Sequence, residues 1–225
     1  MILKENMSND ALPLLASFAY VFAVIGAAEG LRRWRGYGVD FTRKVIHIGV
    51  GMWGYGTVLL FEQRTWAIVP PLAFVAINAF SYWRGTFKAM ETGEKGQLGT
   101  VYFPISFAAL IWLLWDHPAL VVAALMPMTW GDALAAVIGR RVGRNTYTIR
   151  GYTRSVEGSA VMLGTSWIAT LAPLVLLGAA PAPAAAGVAA LTALGATAVE
   201  AVSIWGIDNL TVPAVSALIL TLLLI

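Results

Sequence analysis

The stretch from Ala11 to Leu31, ALPLLASFAYVFAVIGAAEGL, decides the fold class of this chain. It contains one charged side chain, that of Glu29. A helix needs roughly 20 mostly apolar residues to cross about 30 Å of hydrocarbon, because each residue advances the helix by about 1.5 Å. Backbone polar groups in lipid must be paired internally, which favours a helix. The stretch therefore predicts a membrane-spanning helix near the start of the chain.

Similar apolar stretches follow along the rest of the sequence. Hydrophobic residues make up 59% of the chain and charged residues 12%, whereas soluble domains carry about 25% charged residues. We predict an all-α, polytopic integral membrane helix bundle of eight spans, or of seven if the short last one is interfacial. The predicted spans are 11–31, 45–61, 65–83, 99–115, 118–139, 158–179, 183–205 and 209–225.

Positive charges mark one side of the predicted bundle. Of the 15 Lys and Arg residues, all except Lys4 and Arg64 fall in the segments 32–44, 84–98 and 140–157. Cytoplasmic loops carry the excess of Lys and Arg, and eight helices place all three segments in the cytoplasm. We predict that residues 1–225 form a single membrane domain in a prokaryotic plasma membrane, with a short N-terminal tail at 1–10.

The composition also excludes some functions. The chain has no cysteine, which rules out disulfides, thiolate metal sites and cysteine nucleophiles. The formal net charge of +3 is too small to indicate nucleic acid as a partner. The expected partner of the whole chain is the lipid bilayer.

Five acidic residues fall within or beside the spans, towards the predicted cytoplasmic side: Glu29, Asp132, Glu157, Glu200 and Asp208. Asp132 precedes Arg140 by two helical turns, or about 12 Å, so we expect its side chain to be buried below the headgroups. Each acid alone fits an ion pair that holds a helix end. Together they also indicate a catalytic site, where titratable groups cluster.

A second polar pattern lies in the segment 43–51, RKVIHIGVG. On a helix, Arg43, Lys44, His47 and Gly51 share one face. A cationic face at a helix start can hold phosphate, and a glycine allows the ligand to approach closely. The alternative is that the two cations only follow the positive-inside rule and that His47 is a buried polar residue.

The longest polar pattern begins at Asp132 and continues into the third basic segment. A stripe of small residues ends there in cations, and small residues let helix backbones approach closely; its members are Asp132, Ala136, Gly139, Arg140 and Gly143. The chain returns to the membrane at Ser155, which we expect to cap the next helix, followed by Glu157 and Gly158. A carboxylate, a glycine-lined turn and several arginines match the needs of a Mg²⁺-bound nucleoside triphosphate.

These patterns, in this order, resemble the dolichol kinase and phytol kinase family of CTP-dependent polyprenol kinases. The matching blocks run from about residue 29 to residue 218, and they are Arg43-Lys44-xx-His47-xxx-Gly51, Gly99-Thr100 with Phe103-Pro104, Gly131-Asp132-Ala133-xx-Ala136-xx-Gly139-Arg140-xx-Gly143, Ser155-x-Glu157-Gly158-Ser159, Glu200, and Gly206-Ile207-Asp208-Asn209-Leu210-x-Val212-Pro213. The family position before Ser155 is often lysine, and this chain has Arg154, which keeps the charge and changes the geometry.

The resemblance implies transfer of the γ-phosphate of CTP to the hydroxyl of an isoprenoid alcohol, with Mg²⁺ as cofactor. In that scheme Asp132 and Glu157 hold the metal, or Asp132 accepts the alcohol proton, and Lys44 and His47 approach the transferred phosphoryl group. Asp208 and Asn209 complete the site at the metal or at the cytosine. The expected nucleotide-binding residues are Arg43, Gly139, Arg140, Gly143, Arg144, Arg154, Ser155, Glu157, Gly158, Asp208 and Asn209.

Other functions share parts of these patterns. Phosphatidate cytidylyltransferases have a similar Asp-xx-Ala-xxx-Gly-xxx-Gly segment, but the His-Gly-Gly and Asp-Arg-x-Asp pattern that ends their family is absent here. A CTP-dependent diacylglycerol kinase would have the same motifs. A small-solute transporter would favour inverted repeats and ionisable groups at the bilayer midplane, and this sequence shows neither.

Overall fold

The computed structural model describes residues 2–84 and 98–225, with side chains from Asn9 onwards. Helices account for most of these residues. They are α1 (Ile2–Arg35), α2 (Val39–Leu60), α3 (Arg64–Ala67), α4 (Val69–Arg84), α5 (Gly99–Leu114), α6 (Pro118–Met126), a π-helical turn (Pro127–Asp132), α7 (Ala133–Val142), α8 (Val156–Leu176), α9 (Ala182–Val202) and α10 (Asp208–Leu224).

Over the described residues these elements form eight helical segments, because α3 joins α4 and α6 joins α7 through the π-helical turn. Each segment corresponds to one predicted span. Five segments are long and apolar enough to cross a membrane, namely Asn9–Arg35, Arg64–Arg84, Pro118–Val142, Val156–Leu176 and Ala182–Val202. Gly99–Leu114 and Asp208–Leu224 are shorter apolar helices. The predicted all-α membrane bundle is confirmed.

The predicted connections differ in detail from the observed ones. Residues 36–38 alone separate α1 from α2, so most cations of the predicted loop 32–44 lie on helix ends. Helix α1 begins at Ile2 and so includes most of the predicted tail. The predicted loop 84–98 falls largely outside the described residues. That the chain forms a single membrane domain stays a prediction, since it divides into two compact units, Met1–Trp115 and Asp116–Ile225.

In the first unit, α1 packs closely against α2. The Tyr20 hydroxyl donates a hydrogen bond to the backbone oxygen of Gly49 at 2.9 Å, and Trp53 Nε1 donates to Ser17 Oγ at 3.0 Å. The Tyr20 and Trp53 rings are stacked with their centroids 4.7 Å apart. A Cβ atom on Gly49 would lie 2.6 Å from Val24 Cγ1, so the glycine is what allows this approach. These polar bonds bind two apolar helices in lipid, where burial of apolar surface gives little driving force.

In the second unit, α6 forms the buried centre. Every residue from Ala119 to Met126 is buried, and α6 contacts both α8 and α10, while α9 packs on those same two helices. A helix that is apolar on all sides is expected in such a position.

A π-helical turn from Pro127 to Asp132 continues α6 and leads into α7. Proline has no backbone N–H, so Pro127 removes one donor from the regular ladder of the helix. Short π-helical turns within α-helices occur frequently at functional sites. Here the turn ends on Asp132, so it sets the direction of a carboxylate inside a membrane span.

The connection from α7 to α8 contains an antiparallel hairpin, with strands β1 (Thr146–Ile149) and β2 (Tyr152–Ser155). Its two turn residues, Arg150 and Gly151, both have positive φ, at 50° and 84°. Positive φ at both positions matches the twist of two-residue hairpins. The sequence pattern does not predict this hairpin, because an arginine at the first turn position is uncommon.

Candidate active site

Asp132 is buried in the second unit, as predicted, with 7% of its surface exposed. It is the last residue of the π-helical turn, and α7 then extends to Arg140 and Arg141 in its final turn. Burial of an ionised side chain in lipid is costly, so a carboxylate inside a membrane span is a candidate functional group; the catalytic role of Asp132 stays a prediction.

A second carboxylate, that of Glu200, lies within electrostatic range of two other acids, Asp132 and Asp208. Glu200, near the end of α9, is 9% exposed, and both Asp132 and Asp208 interact with it electrostatically. The sequence pattern includes Glu200 among the five acids but assigns it no role. Its location in a helix of otherwise apolar and small residues is the signal that marks it.

Arg154 forms an ion pair with one of these acids, Glu200. Its Nε donates to Glu200 Oε1 at 2.7 Å and its Nη2 donates to the backbone oxygen of Ser203 at 2.6 Å. The side chains of Arg154 and Glu200 are 17% and 12% exposed. The predicted role of Arg154 was to neutralise a triphosphate, whereas the structure directs it into the protein.

Three of the predicted nucleotide-binding residues are glycines at the crossing of α7 and α8. A Cβ atom on Gly139 would lie 3.1 Å from the Cα of Gly158, and one on Gly158 would lie 3.0 Å from Ser155 Oγ. A Cβ on Gly143 would overlap the backbone oxygen of Gly139. These distances confirm that the small residues let the two backbones approach closely.

Ser155 caps α8, as predicted. Its Oγ accepts a hydrogen bond from the backbone N–H of Gly158 at 3.1 Å. The same hydroxyl lies 3.5 Å from the backbone oxygen of Gly139, to which it donates. The Ser155 side chain therefore pairs a free backbone N–H in the first turn of α8 and links that helix to α7.

Glu157 lies in the first turn of α8, where a carboxylate is favourable. It accepts hydrogen bonds from the Asn145 backbone N–H, at 3.2 and 3.3 Å to its two oxygens, and from Asn145 Nδ2 at 3.0 Å. These bonds connect α8 to the start of the hairpin. The pairing of Glu157 with Asp132 as metal ligands stays a prediction.

Asp208 and Asn209 begin α10, directly after a sharp turn. Trp205 and Gly206 both have positive φ, at 55° and 78°. Asn209 donates to Asp208 Oδ1 through its backbone N–H at 2.9 Å and through Nδ2 at 2.8 Å. The turn thus holds the Asp208 carboxylate at a helix N-terminus, within electrostatic range of Glu200.

The remaining predicted residues lie within helices or directly after one. Arg140 lies in the last turn of α7, and the exposed Arg144 follows that helix. In the first unit, Arg43 Nη2 lies 3.5 Å from Asp40 Oδ1, and Lys44 follows it in α2. The ring of His47 lies 4.5 Å from that of Phe103, centroid to centroid. The predicted contacts of these α2 side chains with a phosphoryl group stay predictions.

The acids of the second unit fit the way in which proteins bind Mg²⁺. In the described part of the chain, no group of three or more His, Asp or Glu side chains has the geometry of a metal cage. Mg²⁺ is usually bound through one or two carboxylates plus substrate phosphates and water, and needs no such cage. Asp132 with one further carboxylate would supply the donor set that such a site requires; Asp132, Glu157 and Asp208 are the predicted ligands, and metal binding there stays a prediction.

A phytol kinase from Synechocystis sp. is 31% identical to this chain over 237 residues, covering 96% of the chain and 94% of that protein. The chain belongs to the phytol kinase family. Probable chloroplastic phytol kinases from Triticum aestivum and Oryza sativa subsp. japonica are each 26% identical, and the matches cover 96% and 93% of the chain and 78% and 73% of those proteins. No family model matches the sequence, and no solved structure is significantly similar to it.

The similarity to the Synechocystis protein therefore confirms the family resemblance seen in the sequence. The match to the Synechocystis protein covers nearly all of both chains, so it includes the buried acids, the glycine crossing and the capped α8 of the second unit. Family membership gives the class of reaction, and the roles of the individual residues in it stay predictions.

Proposed function

We propose that this protein is a multi-pass membrane kinase that transfers the γ-phosphate of CTP to the hydroxyl of an isoprenoid alcohol of the phytol, dolichol or polyprenol type. The observation that carries the proposal is the nearly full-length similarity to a phytol kinase. Family membership makes the chain a phosphotransferase with an alcohol acceptor. CTP as the donor is the finer part of the proposal and rests on the sequence motifs.

The chemistry requires a charged group close to the membrane surface. The alcohol oxygen attacks the γ-phosphorus, a new P–O bond forms, and the bond to the departing nucleoside diphosphate breaks. Catalysis of this step consists mostly of positioning and stabilisation of charge. Asp132, buried at the end of the π-helical turn, either accepts the proton that leaves the hydroxyl or takes part in holding the metal.

The cations that follow Asp132 in the chain favour a triphosphate as the second substrate. Arg140 lies exposed in the last turn of α7 and Arg144 is exposed just beyond that helix, so both are accessible to a soluble anion. Mg²⁺, when bound, would neutralise charge on the phosphates. An isoprenoid alcohol keeps its tail in lipid and its hydroxyl near the headgroups, so the two substrates would meet at the membrane boundary.

We place this boundary at the cytoplasmic face. Basic residues end α1 and α7, with Arg32, Arg33 and Arg35 on the first helix and Arg140 and Arg141 on the other. The Lys/Arg excess is the feature that distinguishes cytoplasmic ends of membrane helices. CTP is present in that compartment. A prokaryotic plasma membrane is the location we propose.

The test uses purified protein in detergent with Mg²⁺ and CTP labelled in parallel reactions at the γ- or the α-phosphate. Phytol, farnesol, dolichol, undecaprenol, diacylglycerol and phosphatidate are offered as acceptors. We expect label to pass from the γ position to an isoprenoid alcohol. Passage of the α label to phosphatidate would instead identify a cytidylyltransferase, and γ transfer to diacylglycerol alone would identify another lipid kinase.

A further inference from the structure

The guanidinium of Arg154 has two separate acceptors on the last turn of α9. One is the Glu200 carboxylate, 2.7 Å from Nε, and the other is the backbone oxygen of Ser203, 2.6 Å from Nη2. The remaining nitrogen, Nη1, is buried and has no hydrogen-bond partner among the described residues. A planar guanidinium that forms hydrogen bonds in two directions is fixed in orientation. It therefore presents none of its three nitrogens freely to a soluble triphosphate.

Charge balance also keeps Arg154 in this place. Glu200 is buried and lies within electrostatic range of Asp132 and Asp208. Its ion pair with Arg154 is the one that the structure gives it in the described part of the chain. Removal of one partner from a buried pair leaves an uncompensated charge, which is strongly unfavourable. If Arg154 turned towards a phosphate, Glu200 would lose this cation while it still experienced the charges of Asp132 and Asp208.

The hydrogen bond to Ser203 also connects Arg154 to the turn that precedes Asp208. Ser203 caps the end of α9, and its Oγ lies 3.1 Å from Thr211 Oγ1 on α10. Between the two helices the chain makes the turn with positive φ at Trp205 and Gly206. The hydrogen bond from Arg154 therefore fixes strand β2 to the turn that precedes Asp208.

We propose that Arg154 and Glu200 are positioning residues: the ion pair joins the hairpin to the end of α9 and so sets the place of the turn that carries Asp208, while Arg140 and Arg144 serve the nucleotide. The inference rests on the proposed kinase activity for its kinetic consequence. The ion pair between Arg154 and Glu200 can be tested without that activity, because it is a contact between two side chains of the protein itself.

The test is a double-mutant cycle with R154K, E200Q and the double variant, and with R150K as the matched control. Lysine cannot reproduce the two-directional contact of the guanidinium, and Arg150 is an exposed arginine at the hairpin turn. For each protein we would measure kcat, the KM for CTP and the thermal midpoint in detergent.

We expect R154K and E200Q each to lower kcat roughly tenfold, and the double variant to be no worse than the poorer single one, because residues in contact are not additive. The KM for CTP should change less than about threefold, and R150K should match the wild type in all three quantities.

Two kinetic results would overturn the proposal. One is a KM for CTP that rises tenfold or more in R154K while E200Q leaves it unchanged, which would make Arg154 a phosphate ligand. The other is a lower thermal midpoint in both variants with unchanged kcat per folded enzyme, which would limit the pair to a structural role. If the wild type transfers no phosphate to any alcohol, the proposed function fails. The thermal midpoints then test the ion pair between Arg154 and Glu200. If the decreases in the midpoint for R154K and E200Q add up in the double variant, the ion pair is refuted.

Discussion

The crossing of α7 and α8 offers a direct test of what the glycines do. In G139A the added Cβ would lie 3.1 Å from the Cα of Gly158 and 3.2 Å from Ser155 Oγ. Carbon atoms pack best at about 3.5–4.0 Å, so the two backbones would have to separate by roughly half an ångström. Neither neighbour is the flexible end of a long side chain, so the strain cannot be relieved by a change of rotamer.

The change in stability that we expect for G139A follows from two opposing effects. Alanine in place of glycine within a helix stabilises it by up to about 1 kcal/mol. Overpacking of a tight contact costs about 1–3 kcal/mol. Gly164 provides the matched control, because it lies within α8 and a Cβ there would meet nothing within 4 Å. Both variants share the gain in helix propensity, so their difference measures the packing alone.

The assay is thermal unfolding of the two variants in the same detergent, followed by tryptophan fluorescence. We expect G139A to be less stable than G164A by about 1–3 kcal/mol. For a chain of this length, each kcal/mol corresponds to a midpoint shift of roughly 2–4 °C. If G139A is as stable as G164A and differs only in a higher KM for CTP, the glycine serves the nucleotide and the packing argument is refuted.

Three further predictions concern the cap, the buried acid and the metal. S155A should lose about 1 kcal/mol of stability, because the Gly158 N–H loses its acceptor; the measurement is chemical or thermal unfolding. D132N should lower kcat by roughly a thousandfold while the protein stays folded, since a charge at the reacting centre is removed; the measurement is the initial rate of phosphate transfer. Chelation of Mg²⁺ should abolish turnover without unfolding the protein, and added Mg²⁺ should restore it; both rate and fluorescence are followed.

Each of these three predictions has its own control or contradicting outcome. S155G should lose less stability than S155A, because glycine at a helix start is only a few tenths of a kcal/mol worse than serine; equal stability of S155A and the wild type would contradict the cap. D116N changes an exposed acid and should keep full activity, whereas near-normal activity of D132N would remove Asp132 from the site. Undiminished turnover in excess chelator would exclude the proposed metal.

The eight helical segments could be predicted because the signal for each is local. Five of the segments are apolar runs long enough to cross a bilayer, and such runs are visible without reference to the rest of the chain. The basic segments between the runs predict the sidedness, which stays a prediction. The burial of Asp132 and the cap at Ser155 are local in the same sense. Asp132 lies inside such a run, and Ser155 precedes one at the position where a side-chain oxygen reaches a free N–H.

The features that the sequence does not predict depend on residues that are distant in the chain. Arg154 and Glu200 are separated by 46 positions and Glu157 and Asn145 by 12. From the sequence alone, Arg154 has an equally good interpretation as a ligand for phosphate, and Glu157 as a ligand for a metal. Nothing local distinguishes an arginine that binds a phosphate from one that balances a buried acid.

The helical membrane bundle and its family can be read from the sequence alone, because hydropathy and ordered motifs are properties of contiguous residues. The partner of each charged group depends on the tertiary structure. The hairpin and the turn before Asp208 bring β2 to the end of α9. In a medium of low dielectric that proximity pairs Arg154 with Glu200, an acid 46 positions away in the chain.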